Sequence, residues 1–517
     1  MSEVGTKENP LRVAVVGAGP TGFYTAEHLF KRKDLVVEVD MFDSLPTPFG
    51  LVRAGVAPDH QKIKSVTKLY TRIAQNPGFR FYGNVKFGPD LSLEDLTDHY
   101  HQIVFCTGAQ TDNYLNIPGA DLEGHHPATE FVAWYNGHPE FRDYEFDLSQ
   151  EKVAVIGVGN VAIDVARILS LSHDELARTD IADYALEALS NSGVKEVYII
   201  GRRGPVQAKF TTPEVKEVGN LEDADVFTLP EEMDLDELSQ QELESGADRG
   251  TTRKVELLQS YAENEPTGKP KQLIMRFLVS PVEMYGDDEG HVTSMKLVKN
   301  ELYATDAGTL RPRATDQFED LEAGLVFRSI GYRGVPLPGV PFNDSWGVIL
   351  NEEGRVIDPE TKEPVPGEYT AGWIKRGPSG VIGTNKPDAL ETVEKMMEDL
   401  EAGVILQPTH PDAADAQKMV EEHQPDYFSF ADWEKLDEIE VARGEASDRP
   451  RDKFTTVVDM MEAAGKQPAE PVAKALHICS RSDRTAEHRR VHNSKAPSYG
   501  ALLLNTHFEQ VQLWPSR

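Results

Sequence analysis

Gly17, Gly19 and Gly22 follow the G-x-G-x-x-G spacing within VAVVGAGPTGFYTAEHL, and Gly157, Gly159 and Ala162 repeat it within VAVIGVGNVAIDVARIL. Residues of this type at this spacing serve a diphosphate. One glycine makes a tight turn, one lets the backbone approach the pyrophosphate, and the third, where alanine is tolerated, lets a helix pack on a strand. The negative charge then rests on the positive end of the helix. The chain carries two candidate dinucleotide crevices.

The next strand after each turn tells the two apart. The strand VVEVDMFD ends in Asp43, 21 positions after Gly22, where a carboxylate can accept from the hydroxyls of an unphosphorylated adenosine ribose. The matching strand of the second turn, KEVYIIGRRGP, delivers Arg202 and Arg203 instead. An acid there would repel a 2'-phosphate, whereas two guanidiniums can clamp it with charge-assisted, bidentate bonds. The second site therefore selects NADP(H). A plain-ribose cofactor next to NADP(H) reads as a flavoprotein, FAD first and pyridine nucleotide second, with hydride passing between them.

These residues need elements to hold them. VAVVG and VAVIG are near-continuous apolar runs, as expected for buried parallel strands. Arg202 lies 40 positions beyond Ala162, so an inserted helical stretch around ARTDIADYALEAL must intervene. HQIVFCTGA (residues 101–109) fits a strand that leaves the first domain and ends in a glycine turn. PSGVIGTNKPDALETVEKMMEDL joins a glycine-rich entry to a helical pattern of Ala389, Val393, Met396, Met397 and Leu400. A helix beginning near Gly380 would aim backbone donors and its positive end at a reduced, anionic flavin.

The totals bound the answer. At 517 residues, two domains or more are expected. No stretch has the apolar length of a membrane span, and MSEVGTKENPLR lacks a signal-peptide core, so a cytoplasmic protein is expected. Cys106 and Cys479 are the only cysteines and have no close partner in sequence, which excludes a disulfide relay or an iron-sulfur cluster built from this chain alone. The formal charge of -33 argues against nucleic acid and anionic membranes as partners.

Four longer segments go further: LPTPFGLVRAGVAPDHQKIK (45–64), NVAIDVARIL (160–169), GRRGPVQAKFTTPE (201–214) and GWIKRGPSGVIGTNK (372–386). In order and from about residue 11 to about 465, the chain resembles the adrenodoxin-reductase-type ferredoxin-NADP reductases, particularly their bacterial members. The resemblance implies an α/β fold of two Rossmann-like three-layer domains, the NADP domain inserted into a discontinuous FAD domain. The expected limits are 1–107 and 336–465 for FAD and 108–335 for NADP, with a basic tail at 466–517. It implies that His60 and Glu214 lie near nicotinamide and flavin as proton-handling or tuning groups, since hydride transfer itself needs no acid or base. FAD contacts are implied at Gly17, Gly19, Pro20, Thr21, Gly22, Asp43, Leu51, Val85, Trp373, Gly380, Val381 and Ile382. NADP contacts are implied at Gly157, Gly159, Asn160, Val161, Ala162, Arg202, Arg203, Glu214 and Gly380. No metal is expected.

The implied activity is that of a ferredoxin-NADP reductase. NADPH gives two electrons at once, flavin can release them singly, and the acceptor must lie outside this chain. A diaphorase or quinone reductase is the alternative; a glutamate-synthase-type subunit would bring cysteine clusters that this chain lacks, and a mere nucleotide sensor would leave Trp373, His60 and Glu214 idle. Ferredoxin is acidic, so a basic face is expected: Lys64, Lys68 and Arg72 recur at i, i+4, i+8, one stripe if the segment is helical, and this stripe together with Lys375 and Arg376 is the expected docking face. Against this, EVGNLEDADVFTLPEEMDLDELSQQELES after Glu214 is strongly acidic just where members of the resembled family that bind acidic ferredoxins often carry basic residues. The oligomeric expectation is a monomer or weak dimer. The tail is expected to be disordered or an expression artefact, and His477, Cys479, His488 and His492 in it fit no common metal spacing.

Overall fold

The computed structural model describes residues 4–246 and 248–466. The expectations for residues 467–517, including His477, Cys479, His488 and His492, lie outside these described residues.

Leu11–Val16 is buried along its whole length and pairs in parallel with Val37–Phe42 on one side and Gln102–Phe105 on the other. A strand covered on both faces has to be apolar throughout, which is why it reads as a run and not as an alternation. The full sheet has seven strands, in the order Asn351–Glu352, Arg355–Ile357, Pro364–Thr370, Gln102–Phe105, Leu11–Val16, Val37–Phe42, Phe79–Tyr82. Its first three strands thus come from late in the chain and its other four from the beginning.

Between these two stretches lies a second, wholly parallel sheet of six strands, ordered His125–Pro127, Leu325–Arg328, Lys152–Ile156, Glu196–Ile200, Lys271–Arg276, Ala224–Thr228. Helices cover one face of it. The other packs on an antiparallel meander of Val279–Gly286, Val292–Ala304 and Leu310–Glu322 through Met284, Met295 and Leu297. The architecture is α/β, with two Rossmann-like three-layer folds, the second inserted into the first. The outgoing and returning crossings run side by side, Thr111–Asp112 pairing antiparallel with Tyr332–Arg333. Arg328 donates to Asp112 at 2.5 Å and Asn113 N to Gly331 O at 2.9 Å, so the two crossings are held to each other.

Register aligns the strand ends that matter. Val16 stands level with Phe42 and Phe105, and Phe105 with Thr370. Gly17, Asp43, Cys106 and Ala371 therefore share the carboxyl rim, where open α/β sheets bind ligands. In the second sheet Ile156 is level with Ile200 and Arg328, which sets Gly157, Gly201 and Ser329 on the equivalent rim. The inserted stretch before Arg202 folds as two helices, His173–Leu176 and Asp183–Ser190, as its composition suggests.

The basic stripe requires correction. Lys64 closes a short helix, Gln61–Lys64, and Lys68 and Arg72 belong to the next one, Thr67–Ala74. Lys64 is buried, its Nζ donating to both oxygens of Asp180 at 2.6 and 2.8 Å. Lys375 is also buried, with Nζ 2.7 Å from Glu391 and 3.4 Å from Asp388, and Arg376 reaches Asp388 at 3.3 Å. Buried carboxylates draw cations inward because neither charge tolerates burial alone. Lys68 and Arg72 are the members of the set that remain exposed.

Candidate active site

The two glycine turns share one construction. A Cβ on Gly17, at φ +112°, would stand 2.5 Å from Cys106 O, and one on Gly157, at φ +141°, 2.1 Å from Ser329 O. Both residues are glycine because the turn presses against the neighbouring strand end. Gly19 and Gly159 are different: a Cβ there meets nothing within 4 Å. Their lack of a side chain serves no protein contact and leaves backbone exposed at the head of the helices Pro20–Phe30 and Asn160–Ser170. Neither helix has a side-chain cap. Uncapped N–H groups with a positive helix end are what a diphosphate needs, so both crevices fit a dinucleotide.

Around the first turn, Phe49 N donates to Ala18 O at 2.8 Å, and Gly50 lies against Gly19, which brings Leu51, largely exposed, to the crevice. Asp43 accepts from Ala18 N at 2.8 Å and Leu45 N at 3.0 Å, while Val85 N donates to Asp43 O at 2.9 Å. Burial lifts the Asp43 carboxyl to about 6, and the two N–H donors only partly offset it. Around the second turn, Asn160 Oδ1 accepts from Thr211 N at 2.9 Å, and Lys209 N and Phe210 N donate to Val158 O, so the segment after the arginines is stitched to the turn. Arg202 is exposed and Arg203 half-buried, and among the described residues neither guanidinium has a hydrogen-bond or ion-pair partner. The Arg203 guanidinium is pushed down by burial and by the charge of Arg202. Two guanidiniums side by side without a hydrogen-bond partner among the described residues suit an anion.

The late segment returns to the first turn. Gly372, at φ +80°, would bring a Cβ to 2.3 Å from Thr21 Oγ1, so Trp373 enters directly above the Pro20–Phe30 helix. Its ring stacks on Tyr332 at 5.7 Å and 25°, and Nε1 donates to Ser379 O at 3.2 Å. Gly380 and Val381 are exposed and precede a short 3-10 turn, Ile382–Thr384, which runs into the helix Asn385–Glu401. The expected helix is present, but it begins at Asn385 and not near Gly380, with the 3-10 turn between them.

Between the two crevices, side chains from both folds converge. His60, from the first, has Nε2 3.8 Å from Glu214 Oε2 and 2.9 Å from Glu217 Oε2, both on the helix Thr212–Val218 of the second. Its Nδ1 is 3.8 Å from Asp164 Oδ1. Arg167 donates to His60 Nε2 and to Asp164 Oδ1, each at 2.9 Å, and is ion-paired with Asp59. Burial raises the Glu214 carboxyl, and the charge of Asp164 raises it further. Asp164 is raised by burial against the pull of Arg167. Among the described residues, Glu214 Oε2 and the Tyr135 hydroxyl are buried without a hydrogen-bond partner. His60, Asp164 and Glu214 present ligand-type atoms within 4.8 Å of one another, and the Arg167 guanidinium supplies positive charge at that cluster.

Sequence reading named His60 and Glu214 and missed Asp59, Asp164, Arg167, Glu217 and Tyr332. One signal was available. Asp164 and Arg167 stand at i, i+3 in a helix otherwise made largely of Val, Ala, Ile and Leu, and charge on a helix buried nearly all round has to be paired.

A second seam binds the folds nearby. Asp180 of the inserted fold receives Lys64 and lies 3.5 Å from Lys453. Burial would raise the Asp180 carboxyl, but Lys453 and Lys64 outweigh it and hold it at about 2. Arg449 donates to the carbonyls of Thr179 and Ile181 and pairs with Asp183.

Two dinucleotide crevices on inserted folds, with titratable groups of both meeting between them, define a two-nucleotide oxidoreductase. The family described as pyridine nucleotide-disulphide oxidoreductase matches residues 11–218. NADPH-ferredoxin reductase FprA of Mycobacterium tuberculosis is 43% identical over 460 residues, covering 87% of this chain and 98% of that protein. NADPH:adrenodoxin oxidoreductase, mitochondrial, of Arabidopsis thaliana is 41% identical over 465 residues, covering 88% and 95%. The solved structure of Mycobacterium tuberculosis FprA in complex with NADPH is similar with a TM-score of 0.82 at 42% identity, covering 88% of this chain and all of that one. The chain belongs to this family of NADPH-dependent ferredoxin and adrenodoxin reductases.

Proposed function

We propose that this chain is a ferredoxin-NADP reductase that takes two electrons from NADPH and passes them one at a time to a ferredoxin-type acceptor, with FAD in the first crevice. The convergence of His60 and Glu214 from separate folds, 3.8 Å apart between the two turns, carries this reading. A two-nucleotide exchange needs this place to be built jointly. Bound FAD supplies the conversion of a two-electron donation into two single ones.

The residues have separate tasks. The backbone from Gly17 to Gly22, with Pro20 and Thr21, would hold the FAD diphosphate, and Asp43 would accept from its ribose. Leu51, Val85, Trp373, Gly380, Val381 and Ile382 would line the rest of that site. Gly157 to Ala162 would hold the NADP diphosphate, with Arg202 and Arg203 on the 2'-phosphate, and Gly380 would meet the nicotinamide end. His60 and Glu214 would orient the nicotinamide and hold a proton beside it. The domain limits that suit this plan are 1–107, 108–335 and 336–465. No described helix is long and apolar enough to cross a membrane.

Lys68 and Arg72 remain available to an acidic partner. The acidic helix Glu237–Gly246 favours a second reading in which the acceptor is a quinone or a less acidic protein: Glu242 accepts from Gln207 at 2.8 Å and its charge reaches Arg203. The deciding experiment records the flavin spectrum of the purified protein, its bleaching by NADPH and by NADH, and rates with ferredoxin and with quinone. A yellow protein bleached far faster by NADPH and turning over ferredoxin fits; a colourless folded protein, or equal use of NADH, does not.

A further inference from the structure

The contacts of His60 contain a conflict that one proton resolves. Nε2 lies 2.9 Å from Arg167 Nη2 and 2.9 Å from Glu217 Oε2. The guanidinium only donates and the ionised carboxylate only accepts, so one ring nitrogen cannot satisfy both at once. Without a proton Nε2 accepts from Arg167; with one it donates to Glu217. The two contacts describe the two states of one proton site. Three carboxylates lie within 4 Å of the ring nitrogens, and their exposure separates them: the Glu217 side chain is 47% exposed, against 12% for Asp164 and 11% for Glu214. Glu214 and Glu217 stand at i, i+3 on one helix, so both reach the same ring, one from inside and one from water.

We propose that Glu217 is the solvent-side relay of a proton line that runs from Glu214 through His60 Nε2 to Glu217. The inference rests on the function proposed above. When NADPH gives its two electrons to two one-electron acceptors it becomes NADP+, and one proton is left over that has to reach solvent; the reverse direction takes one up. Glu214 is buried with a partnerless oxygen 3.8 Å from Nε2, so it suits the inner end. Arg167 stays charged between Asp59 and Asp164 and serves as the counter-donor that holds Nε2 when the proton has left. The other titratable groups facing this cluster are Tyr135 and Tyr332, whose hydroxyls burial holds in the protonated form. Glu217 acts through His60 and is a positioning residue.

The test compares wild type, Glu217→Ala and Glu217→Asp with NADPH and a one-electron acceptor. Glu217→Ala should lower kcat about 100-fold, the lower end of the range for a lost proton-transfer group, with little change in KM for NADPH. Formate in the buffer should restore much of the rate, and Glu217→Asp should keep most of it. In the cofactor-free protein, 15N spectra of labelled histidine should show His60 Nε2 of Glu217→Ala moving toward the unprotonated-ring position, because Arg167 then holds it. Wild-type kcat in Glu217→Ala at every pH, no response to formate and an unmoved His60 signal would overturn the relay. A wild type inert toward NADPH would instead overturn the underlying function, and the His60 signal would still read the contact.

Discussion

The two glycine turns are nearly superimposable in design and opposite in charge. In each, the first glycine is pressed against a carbonyl of the adjacent strand end, and the second faces open space at an uncapped helix. One strand later the designs diverge. Asp43 is locked by two backbone N–H groups at the rim of the first sheet, whereas Arg202 and Arg203 stand at the rim of the second with no acid among the described residues bonded to them. The turns present the same backbone at an uncapped helix, and the residues just after the following strand give the two crevices opposite charge.

The comparison can be broken most severely at the seam that keeps the crevices facing. Asp180→Asn leaves Lys64 and Lys453 buried without their carboxylate, and chemical denaturation should show a loss of about 3–5 kcal/mol. Next come the glycines. Gly157→Ala, with 2.1 Å to a backbone carbonyl and φ +141°, should cost about 3 kcal/mol from strain and overpacking. Gly159→Ala should unfold within about 0.5 kcal/mol of wild type and yet lose NADPH affinity by titration. Equal stability losses in both variants would erase the distinction between turn glycine and ligand glycine.

Arg202→Ala and Arg203→Ala should each raise KM for NADPH about 10- to 100-fold, as expected for charge-assisted bonds of about 1.5–3 kcal/mol. Rates with NADH should hardly move. A parallel loss with both cofactors would place the arginines elsewhere than at the 2'-phosphate.

A pH-dependent effect concerns the Asp43 carboxyl, which the fold lifts from 3.8 to about 6. A raised carboxyl takes up a proton on folding, so its stabilisation is full below about pH 4 and is lost as pH rises through about 6. Asp43→Asn is neutral throughout. In cofactor-free protein, the melting temperature of Asp43→Asn minus that of wild type should therefore rise between about pH 4 and about pH 7. A flat difference would mean that Asp43 is ordinary.

Much of this was legible in the residues. VAVVGAGPTG and VAVIGVGNVA announce strand, turn and helix because a buried strand has to be apolar and a tight turn needs glycine, both local demands. Lys64 shows where such reading stops. At i, i+4 from Lys68 it looked like one end of a solvent-facing stripe, but its partner Asp180 lies 116 residues away and no spacing reveals that. Glu217 was passed over for the same reason: its role depends on His60, 157 residues earlier.

By itself, then, the sequence determined the two glycine turns, the sign of the charge just after the strand that follows each and the order of the elements, since each is encoded within a few residues of backbone or one side chain. Only the tertiary structure decided which cations are buried, which carboxylates face a single imidazole and which of them meets water. Those outcomes depend on packing between segments far apart in the chain, where burial and distance set the cost of a charge.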